Sequence, residues 1–98
     1  MYGTIARLHP APGRKADLEA HGREVAAIPV DGVVGAWLFT PDRNPYDRET
    51  VFLVVVFEDE ASYRANADSP EQHERYLQLR ALLDDDPDWM DGTFTVGP

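Results

Sequence analysis

Val51, Phe52, Leu53, Val54, Val55, Val56 and Phe57 form an unbroken apolar run between two charged flanks, Asp47-Arg48-Glu49 and Glu58-Asp59-Glu60. A short run of β-branched and aromatic residues bounded in this way predicts a strand over Thr50–Phe57. A strand with one wet face alternates apolar and polar residues; this one does not, so both of its faces are expected to be covered. Val33–Thr40 (VVGAWLFT) repeats the pattern, with Gly35 marking a bulge or a close contact. Tyr2–Leu8 predicts the first strand, closed by His9-Pro10-Ala11-Pro12-Gly13. A last strand is expected near Gly92–Val96, with Trp89 and Met90 leading into it.

Helical spacing fills the intervals. Arg14–Ile28 places Leu18, Gly22 and Val25 on one face, with His21 and Ile28 along its edge. Gly22 costs up to ~1 kcal/mol relative to Ala inside a helix, which points to close approach of helix and sheet. Pro29 stops this helix, and Asp31-Gly32 signals a turn. Pro41–Glu49 is a long polar loop. Asp59 is an N-cap for a short helix reaching Asn66 or Ala67. Ser69-Pro70-Glu71-Gln72 predicts a capping box with Pro at N1, opening a helix whose stripe is Tyr76, Leu79 and Leu83. That helix is expected to end at the acidic run Asp84–Asp88.

The resulting order, strand-helix-strand-strand-helices-strand, predicts an α+β, ferredoxin-like βαββαβ domain over residues 1–98. Its four-stranded antiparallel sheet carries the helices on one face. The other face keeps one parity of two wholly apolar strands. Exposing three or four such side chains would forfeit ~5–10 kcal/mol, against a total stability of only ~5–15 kcal/mol. A homodimer through this sheet face is the expected cover.

Composition narrows the function. The 98 residues carry a formal net charge of −9. Seven acids stand against six bases through Glu49, and eleven against three from Thr50 onward. An acidic surface repels phosphate backbones, so no nucleic-acid partner is expected. No apolar run approaches the ~20 residues of a membrane span, so no membrane partner is expected. The first residues lack a basic and then apolar leader pattern, and a cytoplasmic protein is expected. The absence of cysteine removes disulfides, thiolate zinc sites and thiol catalysis. The Asp84–Asp88 run lacks the glycine and glutamate of a calcium loop, and no HExxH or phosphate-cradling glycine motif is present, so no metal or bound nucleotide is expected.

The stretch Phe57–Tyr76 (FEDEASYRANADSPEQHERY) resembles the antibiotic-biosynthesis monooxygenase (ABM) family, whose members show an aromatic strand end, an acidic-Ala helix start and an "AHxxSP" motif before the last long helix. The first strand with its Pro-Gly turn, and the Asp-Gly turn before a Trp-containing strand, fit the same pattern. The resemblance implies a dimeric α+β barrel. It also implies a cofactor-independent monooxygenase that oxidises an aromatic, phenolic or polycyclic, small molecule with O2. The superfamily also holds non-catalytic binding and stress-associated proteins, which is the alternative. Asn66 stands where the family motif has histidine. The haem-degrading branch has tryptophan at that position and a haem-ligating histidine where this chain has Tyr76, so haem is not expected.

A phenol or anthrone oxygenase needs a dry cavity, a proton acceptor and donors aimed at a developing oxyanion. Asn66, Tyr76 and His21 are the catalytic candidates. Asn66 either lines a pocket or satisfies backbone near Asp68-Ser69. Tyr76 supplies a functional hydroxyl or packs in the core. His21 is a general base or a hydrogen-bonded boundary residue. Trp37, Tyr63, His73 and Arg80 are the substrate-binding candidates. Trp37 lines either the cavity or the dimer core, and Arg80 binds an anion or makes a surface ion pair.

Overall fold

The structure is a computed structural model that describes residues 1–97. The chain runs β1 (Tyr2–Leu8), α1 (Lys15–Ala26), β2 (Val33–Phe39), β3 (Val51–Phe57), α2 (Glu60–Ala67), α3 (Pro70–Arg80) and β4 (Asp88–Thr93). The four strands form one antiparallel sheet in the order β2-β3-β1-β4. This is the expected ferredoxin-like α+β fold. No helix among the described residues is long and apolar enough to cross a membrane.

Register decides which side chains meet. Leu8 lies opposite Val51, Ala6 opposite Leu53 and Thr4 opposite Val55. Because side chains alternate along a strand, all of these point to the helical side. There Ala6, Leu8 and Val51 pack with Leu18 of α1, Leu79 of α3, and Leu82 and Leu83 beyond it; Leu38 and Leu53 complete this core. The core therefore fills the Leu8–Val51 end of the space between helices and sheet. Gly22 lets α1 come down on β2: a Cβ there would stand 2.8 Å from Leu38 Cδ1. The ladder between β2 and β3 shifts between Val33 and Gly35, which is the bulge the glycine predicted.

The opposite parity, Ile5, Phe52, Val54, Trp37, Phe39 and Met90, forms the outer face. Among the described residues most of it lies uncovered: Trp37 is 54% exposed, Phe39 57% and Met90 64%. Only its corner is roofed, where Tyr46 of the β2–β3 loop lies over Arg7 and beside Phe52.

Three expectations are corrected. β4 spans Asp88–Thr93, not Gly92–Val96, because pairing with β1 sets the register; Arg7 bonds Asp88 at 2.6 Å, and Met90 lies opposite Ile5. Cross-strand partners thus override the low strand propensity of Asp and Gly. α3 ends at Arg80, ahead of the acidic run, although Leu83 stays buried. The capping box is only half made. Ser69 Oγ accepts from the Gln72 N–H at 3.1 Å, but the Ser69 N–H donates to the Asn66 carbonyl at 3.0 Å. Gln72 is therefore released for another task.

Candidate active site between the helices and the sheet

At the Thr4–Val55 end the layers do not close on each other. They enclose a cavity of about 1060 Å³, bounded by the inner faces of α1, α2 and α3 and by the sheet. A pocket this large is at the upper end of those that hold drug-sized ligands. Its floor is Val55 and Phe57, and its polar groups come mainly from α2, α3 and β4.

The short helix α2 exists because Asp59 caps it, accepting from the Ser62 N–H at 2.8 Å. That hydrogen bond holds the Asp59 carboxyl below its ordinary pKa. The helix presents Tyr63, Asn66 and Ala67 to the cavity. Tyr63 is wedged edge-on against Phe57 and Tyr2, at centroid distances of 5.6 and 5.3 Å. Its hydroxyl donates to Asp91 Oδ1 at 2.8 Å. Burial, reinforced by the Asp91 carboxylate, pushes the phenol up to about 12. Tyr63 is therefore a donor that stays protonated at neutral pH.

A raised tyrosine pKa stabilises the neutral form in the fold. Its contribution is fully present below the unfolded value of about 10 and is lost as pH rises toward about 12. The midpoint of urea unfolding should thus fall across that window, and Tyr63→Phe should flatten the fall relative to wild type. Equal pH slopes in the two proteins would show that the phenol is not held neutral by its site.

Asn66 sits in a closed triangle. Arg75 Nη2 donates to Asn66 Oδ1 at 3.3 Å, Arg75 Nε donates to Gln72 Oε1 at 3.2 Å, and Asn66 Nδ2 donates to Gln72 Oε1 at 3.4 Å. A guanidinium can only donate, so both amide oxygens must face it, which leaves the Gln72 NH2 and one N–H of Asn66 unused within the triangle. Further along α3, Tyr76 lines the cavity with its ring 6.4 Å from that of Trp89 on β4.

The remaining candidates divide. His21 borders the cavity from α1, and among the described residues its ring makes no protein hydrogen bond. His73 is exposed at the rim. Trp37 lies opposite Val54 on the outer face and touches the cavity only at the β2 edge, where its ring folds over Gly35. Arg80 does not reach the cavity: it bonds Asp86 at 2.7 Å and the Leu83 carbonyl at 3.1 Å, tying down the end of α3. Of its two expected roles, Arg80 takes the surface ion pair, because the early end of the helix turns it into the acidic loop.

Gln72, Arg75, Trp89 and Asp91 were not among the sequence candidates. The spacing of 72, 75, 76 and 79 contains the signal for the first two, since i, i+3, i+4 and i+7 share one helix face. Asp91 and Trp89 were hidden by the misplaced strand. No group of three His, Cys, Asp or Glu side chains suited to a metal comes together among the described residues.

Residues 1–76 match the antibiotic biosynthesis monooxygenase family. Similar solved structures include Rv0793 from Mycobacterium tuberculosis, at 18% identity and TM-score 0.71 over 98% of this chain and 96% of that one. SnoaB, a cofactor-independent oxygenase from Streptomyces nogalater, was solved as an asparagine-to-alanine mutant; it aligns at 19% identity and TM-score 0.73 over 98% and 94%. At3g17210 from Arabidopsis thaliana aligns at 12% identity and TM-score 0.82 over 100% and 99%. At these identities the likeness is one of fold. No curated protein sequence matches the chain.

Proposed function

The chain belongs to the antibiotic biosynthesis monooxygenase family, and from that premise we propose that it is a cofactor-independent monooxygenase acting on an aromatic, phenolic or polycyclic, small molecule. The observation that carries this reading is the large, mainly apolar hollow between helices and sheet, with its polar groups gathered on the α2, α3 and β4 walls. Protein interiors are close-packed, and a domain with nothing to bind would fill that space with side chains.

The reaction asks the protein for little beyond this hollow. Loss of a proton makes an anthrone or phenol an electron-rich anion that reduces O2 directly. For an anthrone, one oxygen atom becomes the new carbonyl and the other leaves as water with the two hydrogens of the reacting carbon. In this reading the second N–H of Asn66 Nδ2 holds the developing oxyanion. His21 accepts the proton from the α1 side. Tyr76 and Trp89 flank the aromatic rings, and Tyr63, whose hydroxyl proton is engaged by Asp91, packs the α2 wall of the site. SnoaB, similar in fold and described as a cofactor-independent oxygenase, supports the assignment.

The working unit in this proposal is a homodimer joined through the outer sheet face. The exposure of Trp37, Phe39 and Met90 supports it. Oxygen-electrode assays of the purified protein with a panel of anthrones, naphthols and hydroquinones test the function. Enzyme-dependent O2 uptake is expected with at least one of them, and uptake that does not scale with protein concentration for any of them would end the oxygenase reading.

A further inference from the structure

The charges that border the cavity do not cancel. Arg23 and Glu19 lie 4.0 Å apart, and Arg64 and Asp91 lie 3.6 Å apart, so each pair is internally compensated. Arg75 is different. Among the described residues no carboxylate lies within ion-pair distance of it, although acids outnumber bases two to one in the chain. Among the described residues its hydrogen-bond partners are the two neutral amide oxygens of Asn66 and Gln72. Three of its five N–H groups therefore have no protein acceptor among the described residues.

The surrounding groups sharpen this asymmetry. Asn66 Oδ1 and Gln72 Oε1 are both committed to Arg75, which leaves the Gln72 NH2 and one Asn66 N–H as further donors. Gln72 Oε1 already accepts twice and Asn66 Oδ1 once, so this part of the wall offers several donors and a positive charge against a single spare amide lone pair. A hydroxyl or a primary amide presents donors of its own, for which such a wall has only that one lone pair. An ionised carboxylate or phenolate is acceptor-only and fits it. A half-buried cation without a counter-ion also gains most when the ligand brings one.

We propose that the cavity selects planar aromatic anions, seating a carboxylate or phenolate oxygen on Arg75 between the amide groups of Gln72 and Asn66. This rests on the cavity being the substrate site, and it names the substrate class: an aromatic acid, or a phenol bound in its ionised form. Arg75 then also favours the deprotonated state from which electrons pass to O2.

Calorimetric titration with 2-naphthoate and 2-naphthamide separates charge from shape. Wild type should bind the naphthoate about ten- to a hundredfold more tightly, the range expected for a charge-assisted pair. Arg75→Gln should bring the naphthoate down to the level of the naphthamide while leaving the naphthamide within about twofold of its wild-type affinity. The phenolate source is read with 4-nitrophenol, whose ionised form absorbs at longer wavelength. Binding should lower its apparent pKa in wild type and not in Arg75→Gln.

Equal affinity for the two naphthyl probes together with no change in the nitrophenol pKa would overturn the proposal, as would failure of all three to bind. A preference that survives Arg75→Gln would overturn the assignment to Arg75. Should that variant not fold, the wild-type comparison decides alone. No arm reads oxygen uptake, so a protein that discriminates the probes without consuming O2 keeps this inference and loses the oxygenase reading.

Discussion

Asn66→Ala should lower oxygen-consuming turnover of a phenolic substrate about 10²–10³-fold, the loss typical of one preorganised oxyanion donor. The effect on the fold should be far smaller. Alanine keeps the helix propensity of α2, and the backbone carbonyl of residue 66 that receives the Ser69 N–H is retained. What disappears is a pair of long, half-exposed side-chain bonds at 3.3 and 3.4 Å. These are worth on the order of 1 kcal/mol, or roughly 4–8 °C in Tm for a domain of this size. Steady-state O2 uptake and a thermal melt on the same sample separate the two quantities. A much larger drop in Tm would make Asn66 a structural bridge between α2 and α3, and the enzyme proposal would lose its central residue. Unchanged uptake would place the oxyanion donor elsewhere on the wall.

Val54→Glu should turn a dimer into a monomer. Val54 sits in the middle of the outer face, between Ile5 on β1 and Trp37 on β2. A dimer through that face would bring two copies of the new carboxylate into an apolar interface without partners. An unpaired buried charge costs about 3–5 kcal/mol, or more than a hundredfold in dissociation constant. Light scattering at micromolar concentration should give twice the chain mass for wild type and the single mass for the variant. Circular dichroism should be unchanged, since in an isolated chain residue 54 faces outward. A variant that stays dimeric would move the interface off the sheet. A wild-type protein that is monomeric at micromolar concentration would remove the dimer altogether.

The elements that could be read from the sequence are those whose causes are local. The apolar runs of β2 and β3 carry their own strand signal. Asp59 and Ser69 start α2 and α3 because a side-chain oxygen two or three residues away is all that an orphan N–H requires. The glycines at 22 and 35 stand where a side chain would have collided or a ladder had to shift. Helical spacing put Tyr63 and Asn66 on one face of α2 and Tyr76 on the inward stripe of α3, but left open whether Asn66 and Tyr76 line a cavity or serve the fold; the structure has all three in the cavity lining.

What only the tertiary structure decided depends on partners distant in the chain. β4 took its register from β1, and with it came Asp91 as the acceptor of the Tyr63 hydroxyl, 28 residues away in sequence. Gln72 left the capping box because the Asn66 carbonyl had taken the Ser69 N–H, and its freed amide then met Arg75. Arg80 was lost to the acidic loop once α3 stopped. Sequence determined where this chain bends and which faces are apolar, since propensity and capping act over a few residues. Which polar groups meet in the hollow was settled by strand register and helix packing, because a hydrogen bond needs its two partners within about 3 Å, and only the assembled fold brings them there.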